Sequence, residues 1–421
     1  MGNNFFIYTM HMNTITTITA REILDSRGNP TVQVTMNDGV NTAVAAVPSG
    51  ASTGSHEAHE LRDKDKNRYH GKGVLQAIEN IHTIITPLIV GQNPAEQQKL
   101  DQIMRDADGT PNKSTLGANA ILGASMAMTK LAAMQQNMPL WQWIAELHGT
   151  KKVTIPRPMM NIINGGEHAD NTLAVQECMI IPQFDDFADN LRAGSEIFQS
   201  LKKILKNKNL STGVGDEGGF APNVATTAEA FDLMEEAIQD AGYSTFTEVF
   251  FAIDAAASEF YTDGKYVIDG RELTSEELTK YYQTLTEKYK LISIEDSHNE
   301  DDAAGFQALK QAIGKTTQLV GDDLLVTNTE RLQQAIEGQW CNSILIKPNQ
   351  IGTVTETLEC IKMAQEAGFG TIISHRSGET TDTFIADLAV GTAAGQIKTG
   401  SLSRGERTAK YNRLLEIADE V

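Results

Sequence analysis

VFFAID (249–254), LISIED (291–296), QLVGD (318–322), SILIK (343–347), GTIISH (370–375) and GQIK (395–398) are six short apolar runs, each carrying a titratable side chain at its end: Asp254, Glu295, Asp322, Lys347, His375 and Lys398. Runs of this length, bounded by polar or Gly/Pro-containing sequence, read as buried strands. The intervals between them each accommodate a helix and two loops. Upstream, TIPRPMMN (154–161) and AVQECMII (174–181) bring the count to eight, the number that closes a parallel-type barrel. Residues 153–421 supply enough chain for a barrel of about 250 residues. In such a barrel the strand ends meet on one face, so the six side chains are expected to converge. Three acids followed by three bases need partners there, and three carboxylates suit a hard divalent cation bound through oxygen, magnesium being the first choice.

Working toward the N-terminus, TVQVTMNDGVNTAVAAV (31–47) alternates in strand fashion around Asp38-Gly39, a hairpin signal. Helical spacing follows over about 73–90 and 117–136. Residues 14–140 therefore read as an α+β domain, and 1–13 as a tail without the basic start and long apolar run of a signal peptide. The tail leaves Met10 or Met12 as an alternative start. With 35 Lys and Arg against 55 Asp and Glu, the formal charge of −20 argues against nucleic-acid binding. An anionic substrate has to be drawn in by local cations. Cys178, Cys341 and Cys360 form no CxxC pair or disulfide framework, which fits a reducing cytoplasm. No run is long enough for a membrane span.

Three motifs need separate weighing. GVGDEG (213–218) matches GxGxxG, but no strand precedes it, no helix opens on its last glycine, and its acids would repel a pyrophosphate. It reads as a flexible loop presenting Glu217. SGASTG (49–54) reads as a small-residue loop, either a turn or a lid in which Ser52 offers oxygen to a metal. HEAHE (56–60) lacks the second histidine of a zinc-protease helix, leaving His56 and Glu60 as a surface pair at helical spacing.

Ten strings, in order along the chain, then carry a resemblance: REILDSRGNPT, VPSGASTG, LGANAILG, NIINGGEHAD, VGDEGGFAPN, SIED, GDDL, IKPNQIGT, SHRSGET and QIKTG. They resemble the signatures of enolase, in its bacterial form. The resemblance implies an α/β chain: a (β/α)8-type barrel whose second strand is antiparallel, capped by the N-terminal α+β domain. It implies reversible dehydration of 2-phosphoglycerate to phosphoenolpyruvate. Two magnesium ions are implied, one held by Asp254, Glu295 and Asp322 and the second, arriving with substrate, by Ser52. Lys347 resembles the general base and Glu217 the general acid, supported by Glu177 and His168. Arg376 and Ser377 resemble the phosphate contacts, and His375 and Lys398 lie where substrate is held. The pairing of a lysine base with magnesium comes from the resemblance, not from spacing. On the residues alone, Lys398 reads equally as partner to a barrel carboxylate, His168 as a satisfied loop histidine and Arg376 as half of a salt bridge.

The implied chemistry sets electrostatic expectations. Lys347 has to be neutral to accept a proton, so the metals and Lys398 should depress it. Glu217 has to hold a proton, so Glu177 should raise it. Cys178, Ser297, His298 and Thr381 depart from the family pattern beside the chemistry. Rival expectations are a dehydratase or racemase of another acid on the same architecture, or a non-enzymatic role in plasminogen binding or as a scaffold for RNA degradation. SHRSG and KPNQ weigh against the first, and a chain end at Glu420-Val421 without a terminal lysine weighs against plasminogen. A homodimer or higher homo-oligomer is implied by resemblance, as is a cytoplasmic location with a fraction at the surface or secreted.

Overall fold

The computed structural model describes residues 14–50 and 56–421. Three antiparallel strands, β1 (Thr17–Leu24), β2 (Pro30–Asn37) and β3 (Thr42–Ala46), open the chain, with Asp38-Gly39 in the β2–β3 turn. One face of the sheet is covered by the helix Ala118–Gln135, whose Ala, Leu and Met side chains bury nearly all round. The helical stretch expected at 73–90 runs from Leu75 to Ile89 with a π-turn at Ile81–Ile85. Two further helices, Gln97–Asp108 and Leu140–His148, complete this part of the chain.

The barrel follows as β4 (Arg157–Asn164), β5 (Glu177–Pro182) and β6 (Val249–Asp254), then, after a small sheet of β7 (Tyr261–Thr262), β8 (Lys265–Ile268) and β9 (Arg271–Leu273), β10 (Leu291–Glu295), β11 (Gln318–Gly321), β12 (Ser343–Ile346), β13 (Gly370–Ser374) and β14 (Gln396–Lys398). Eight strands close in the order β10-β11-β12-β13-β14-β4-β5-β6. β5 runs antiparallel to β4 and β6, while the other neighbours are parallel. The interior is filled by Met159, Met179, Ile181, Ala252, Val320, Leu345 and Ile372, so the barrel is a packed core below its mouth. Among the described residues no helix is long and apolar enough to cross a membrane.

The N-terminal sheet domain is tied to the barrel mouth. Ser49 and Gly378 exchange two backbone hydrogen bonds of 2.8 Å, Ser26 N donates to Glu379 O, and Lys130 pairs with Asp382 at 2.7 Å. HEAHE is not helical: Glu60 pairs with Arg62 at 2.6 Å and accepts from Ser49, so the expected His56–Glu60 surface pair does not form. The segment's backbone bonds to distant residues instead, with Ala58 N donating to Gln350 O at 2.8 Å and His59 N to Asn112 O at 2.7 Å.

Of the family departures, Cys178 is buried core and Thr381 is exposed. His298 is buried among Tyr266, Tyr282 and Phe306, with Ser297 Oγ 3.0 Å from Nδ1 and Thr279 Oγ1 and Ser275 O each 3.3 Å from Nε2. Burial holds its pKa down, against the opposing pull of Asp302. An unfolded chain therefore protonates His298 first as pH falls. Relative to a His298→Gln variant, the wild-type protein is expected to lose stability as pH drops below about 6.5. Urea titrations on either side of that pH read the effect, and a difference between the two proteins that is independent of pH would contradict it.

Candidate active site

One buried pocket at the barrel mouth is lined by ten of the twelve candidate residues: His168, Glu177, Glu217, Asp254, Asp322, Lys347, His375, Arg376, Ser377 and Lys398. Glu295 stands directly behind, beside Asp254 on the neighbouring strand, and Ser52 lies outside the described residues. Strand register explains the gathering. Glu177, Asp254 and Glu295 occupy adjacent positions on β5, β6 and β10, and Asp322, Lys347 and His375 each sit one residue past β11, β12 and β13.

Four carboxylates crowd one side, and two ammonium groups answer them. Lys398 Nζ lies 2.8 Å from Asp254 Oδ2, 2.8 Å from Glu295 Oε1 and 3.2 Å from Glu177 Oε1. Burial works against its charge, but these carboxylates outweigh burial and hold Lys398 well above its ordinary value. Lys347 pairs with Asp322 Oδ2, whose other oxygen accepts from Gln350 Nε2 at 2.9 Å. Burial raises Glu295 and Glu177 well above the usual carboxylate range, and the neighbouring acids add to it. Such a set fits a hard divalent cation: oxygen donors only, mutually repelling, and drawn to whatever positive charge is present. Asp296, Asp322 and Asp323 form a further close acidic group on the same side, with Asp296 accepting the backbone N–H of both aspartates at 2.9 and 2.8 Å.

Glu177 also belongs to a second close group, with Glu217 and His168. His168, in the turn after β4, places Nδ1 3.6 Å from Glu217 Oε1 and 3.7 Å from Glu177 Oε1. His375 Nε2 stands 3.2 Å from Glu217 Oε2, and Asn161 Nδ2 donates to that oxygen at 3.1 Å. The loop carrying Glu217 is pinned, not flexible as its glycines suggest. Asp216 N donates to His168 O, Ser401 N to Glu217 O, Ser403 Oγ to Gly218 O at 2.6 Å, and Arg404 Nε to Gly215 O at 3.0 Å. Gly218 adopts φ +87°, and a Cβ there would meet Ser403 O at 2.5 Å, so the glycine serves both a left-handed turn and a close approach.

Two electrostatic expectations are corrected. Glu217 was expected to be raised by Glu177. Burial does push it up, but His168, His375 and Arg407 together hold it well below the usual range, and Glu177 is the raised member of the pair. Lys347 was expected to be depressed. Burial pulls it down, and Arg376 and Lys398 add to that as expected of neighbouring cations, but Asp322 and Glu295 outweigh them and keep it above its ordinary value in the protein alone.

Residues that motif reading missed support those it found. Glu57, from HEAHE, takes Arg376 in two hydrogen bonds of 2.9 and 3.1 Å, so Arg376 is a salt-bridge partner as well as a pocket-lining cation. Arg407 and Lys410, on the helix Gly405–Ala418, are fully buried beneath SHRSGET, and Lys410 pairs with Glu379 at 2.8 Å. Two charged side chains three apart in an otherwise amphipathic last helix were a signal that something buried needed them. Two family models match the chain: "Enolase, N-terminal domain" over residues 15–144 and "Enolase, C-terminal TIM barrel domain" over residues 152–421.

Proposed function

This chain belongs to the enolase family of magnesium-dependent lyases, and from that premise we propose that it reversibly dehydrates 2-phosphoglycerate to phosphoenolpyruvate. The observation supporting this is that a single pocket brings Lys347, Asp254 and Asp322 together with a close group of Glu177, Glu217 and His168. Removing a proton α to a carboxylate and expelling hydroxide demand a base and an acid on opposite sides of a small substrate.

In this reading Lys347 takes the C2 proton and Glu217 protonates the departing C3 hydroxyl. Asp254, Glu295 and Asp322 would hold a magnesium ion, and Ser52 by resemblance a second, which would supply positive charge where the substrate carboxylate becomes more negative. Lys398, brought up by three carboxylates, adds a fixed cation to the same place. Arg376 and Ser377 hold the phosphate, the guanidinium sharing itself with Glu57. In the protein alone Glu177 is the raised member of the carboxyl pair and Glu217 the lowered one. Bringing the anionic substrate alongside raises Glu217 and moves it toward the protonated form that the forward reaction requires.

The same reading takes residues 14–140 as a cap and 153–421 as the catalytic barrel of a cytoplasmic homodimer or higher homo-oligomer serving glycolysis and gluconeogenesis. Phosphoenolpyruvate formation from 2-phosphoglycerate is expected with magnesium, to vanish on chelation and to return when magnesium is restored. Turnover of unphosphorylated sugar acids instead would assign the site to another dehydratase of the superfamily.

A further inference from the structure

Arg407 is fully buried, yet it contributes nothing to the pocket lining. Its Nη1 lies 2.6 Å from His375 Nδ1 and donates to Arg376 O at 2.6 Å, while Nη2 donates to Ser377 O at 2.6 Å and to Asp216 O at 3.2 Å. It thus joins the loop after β13 to the loop that carries Glu217. The contact with His375 has a chemical direction. A guanidinium has donors and no acceptor, so Nδ1 has to be the accepting, unprotonated nitrogen. The proton of a neutral ring is then confined to Nε2, the atom 3.2 Å from Glu217 Oε2. At this distance the geometry does not make a hydrogen bond, so His375 Nε2 is a buried nitrogen aimed at Glu217, and such contacts commonly tighten only when substrate binds.

We propose that Arg407 is a positioning residue for the reaction: it fixes the His375 tautomer, so that the ring presents an N–H to Glu217 in every turnover. Without that anchor the ring is free to place its proton on Nδ1 and turn a lone pair toward the Glu217 carboxylate, which is repulsive. Burial, reinforced by Arg407 and opposed by Glu217, takes His375 down to about 4, so the ring stays neutral and the tautomer is the variable that matters. The inference rests on reading Glu217 as the proton carrier.

The test is nitrogen-15 NMR of histidine-labelled protein without substrate, with His375 assigned by its loss in His375→Asn. The wild-type protein is expected to show His375 protonated at Nε2 and bare at Nδ1 throughout the neutral range. A ring protonated at Nδ1, or charged, overturns the proposal. In Arg407→Met the signal is expected to become a mixture of tautomers, with kcat lowered about 10–100-fold, the scale seen when a residue orienting an active-site histidine is lost. An unchanged tautomer in a folded Arg407→Met protein also overturns it, because a merely structural role would lower kcat without moving the proton. If the variant does not fold, the wild-type spectrum decides. Because no substrate is present, this result stands apart from whether 2-phosphoglycerate is turned over.

Discussion

Lys347→Ala is expected to lower kcat for 2-phosphoglycerate by about 10²–10⁴-fold, the range typical of losing a positioned general base. The side chain pairs with Asp322, so its removal has two effects that separate cleanly. The base is lost, and Asp322 is left with Gln350 and no ammonium. A carboxylate freed from an ion pair attracts a divalent cation more strongly. Magnesium affinity, read by calorimetry, is therefore expected not to fall in the variant. Low kcat with undiminished metal binding identifies a lost base, and near-normal kcat would remove Lys347 from that role.

Lys398→Met is expected to cost activity and fold together. Three buried carboxylates share this one ammonium, and Met fills similar volume without charge. Breaking a buried pair from one side costs about 3–5 kcal/mol, because the remaining charges stay buried. Glu177 and Glu295 are already raised, and in the variant they take up protons on folding. A raised folded-state pKa gives stability that is present at low pH and lost as pH rises through it. The chelated variant should therefore gain stability relative to wild type as pH is lowered from about 8 toward the ordinary carboxylate range near 4, and added magnesium should narrow the gap at neutral pH. Urea unfolding measures both. A variant as stable as wild type at neutral pH would mean that the carboxylates are compensated elsewhere.

The barrel was legible because six of its eight apolar runs end on a titratable residue, and a strand buried on both faces reads as a near-continuous apolar run with a plain end. All eight runs lie on barrel strands, and Asp254, Glu295 and Lys398 close theirs. The antiparallel second strand could not be read that way, since ECMII is apolar whichever way it runs. Loop behaviour was the least legible part. GVGDEGG has the composition of a mobile segment, but its rigidity comes from Ser401, Ser403 and Arg404, nearly two hundred residues further on. The resting charge of Glu217 was misjudged for the same reason. Its nearest acid was visible in a motif, whereas the two histidines and Arg407 that hold it down against burial meet only in three dimensions. Glu57 was likewise hidden inside a string that looked like a failed zinc motif.

The most direct test of a base at Lys347 and an acid at Glu217 is exchange of the C2 proton of 2-phosphoglycerate in deuterated water with magnesium, followed by proton NMR. Glu217→Gln keeps the base and loses the acid, so it is expected to exchange the C2 proton while forming almost no phosphoenolpyruvate. Lys347→Ala is expected to do neither. Exchange that survives in Lys347→Ala, or disappears in a folded Glu217→Gln protein, would contradict the division of labour described here.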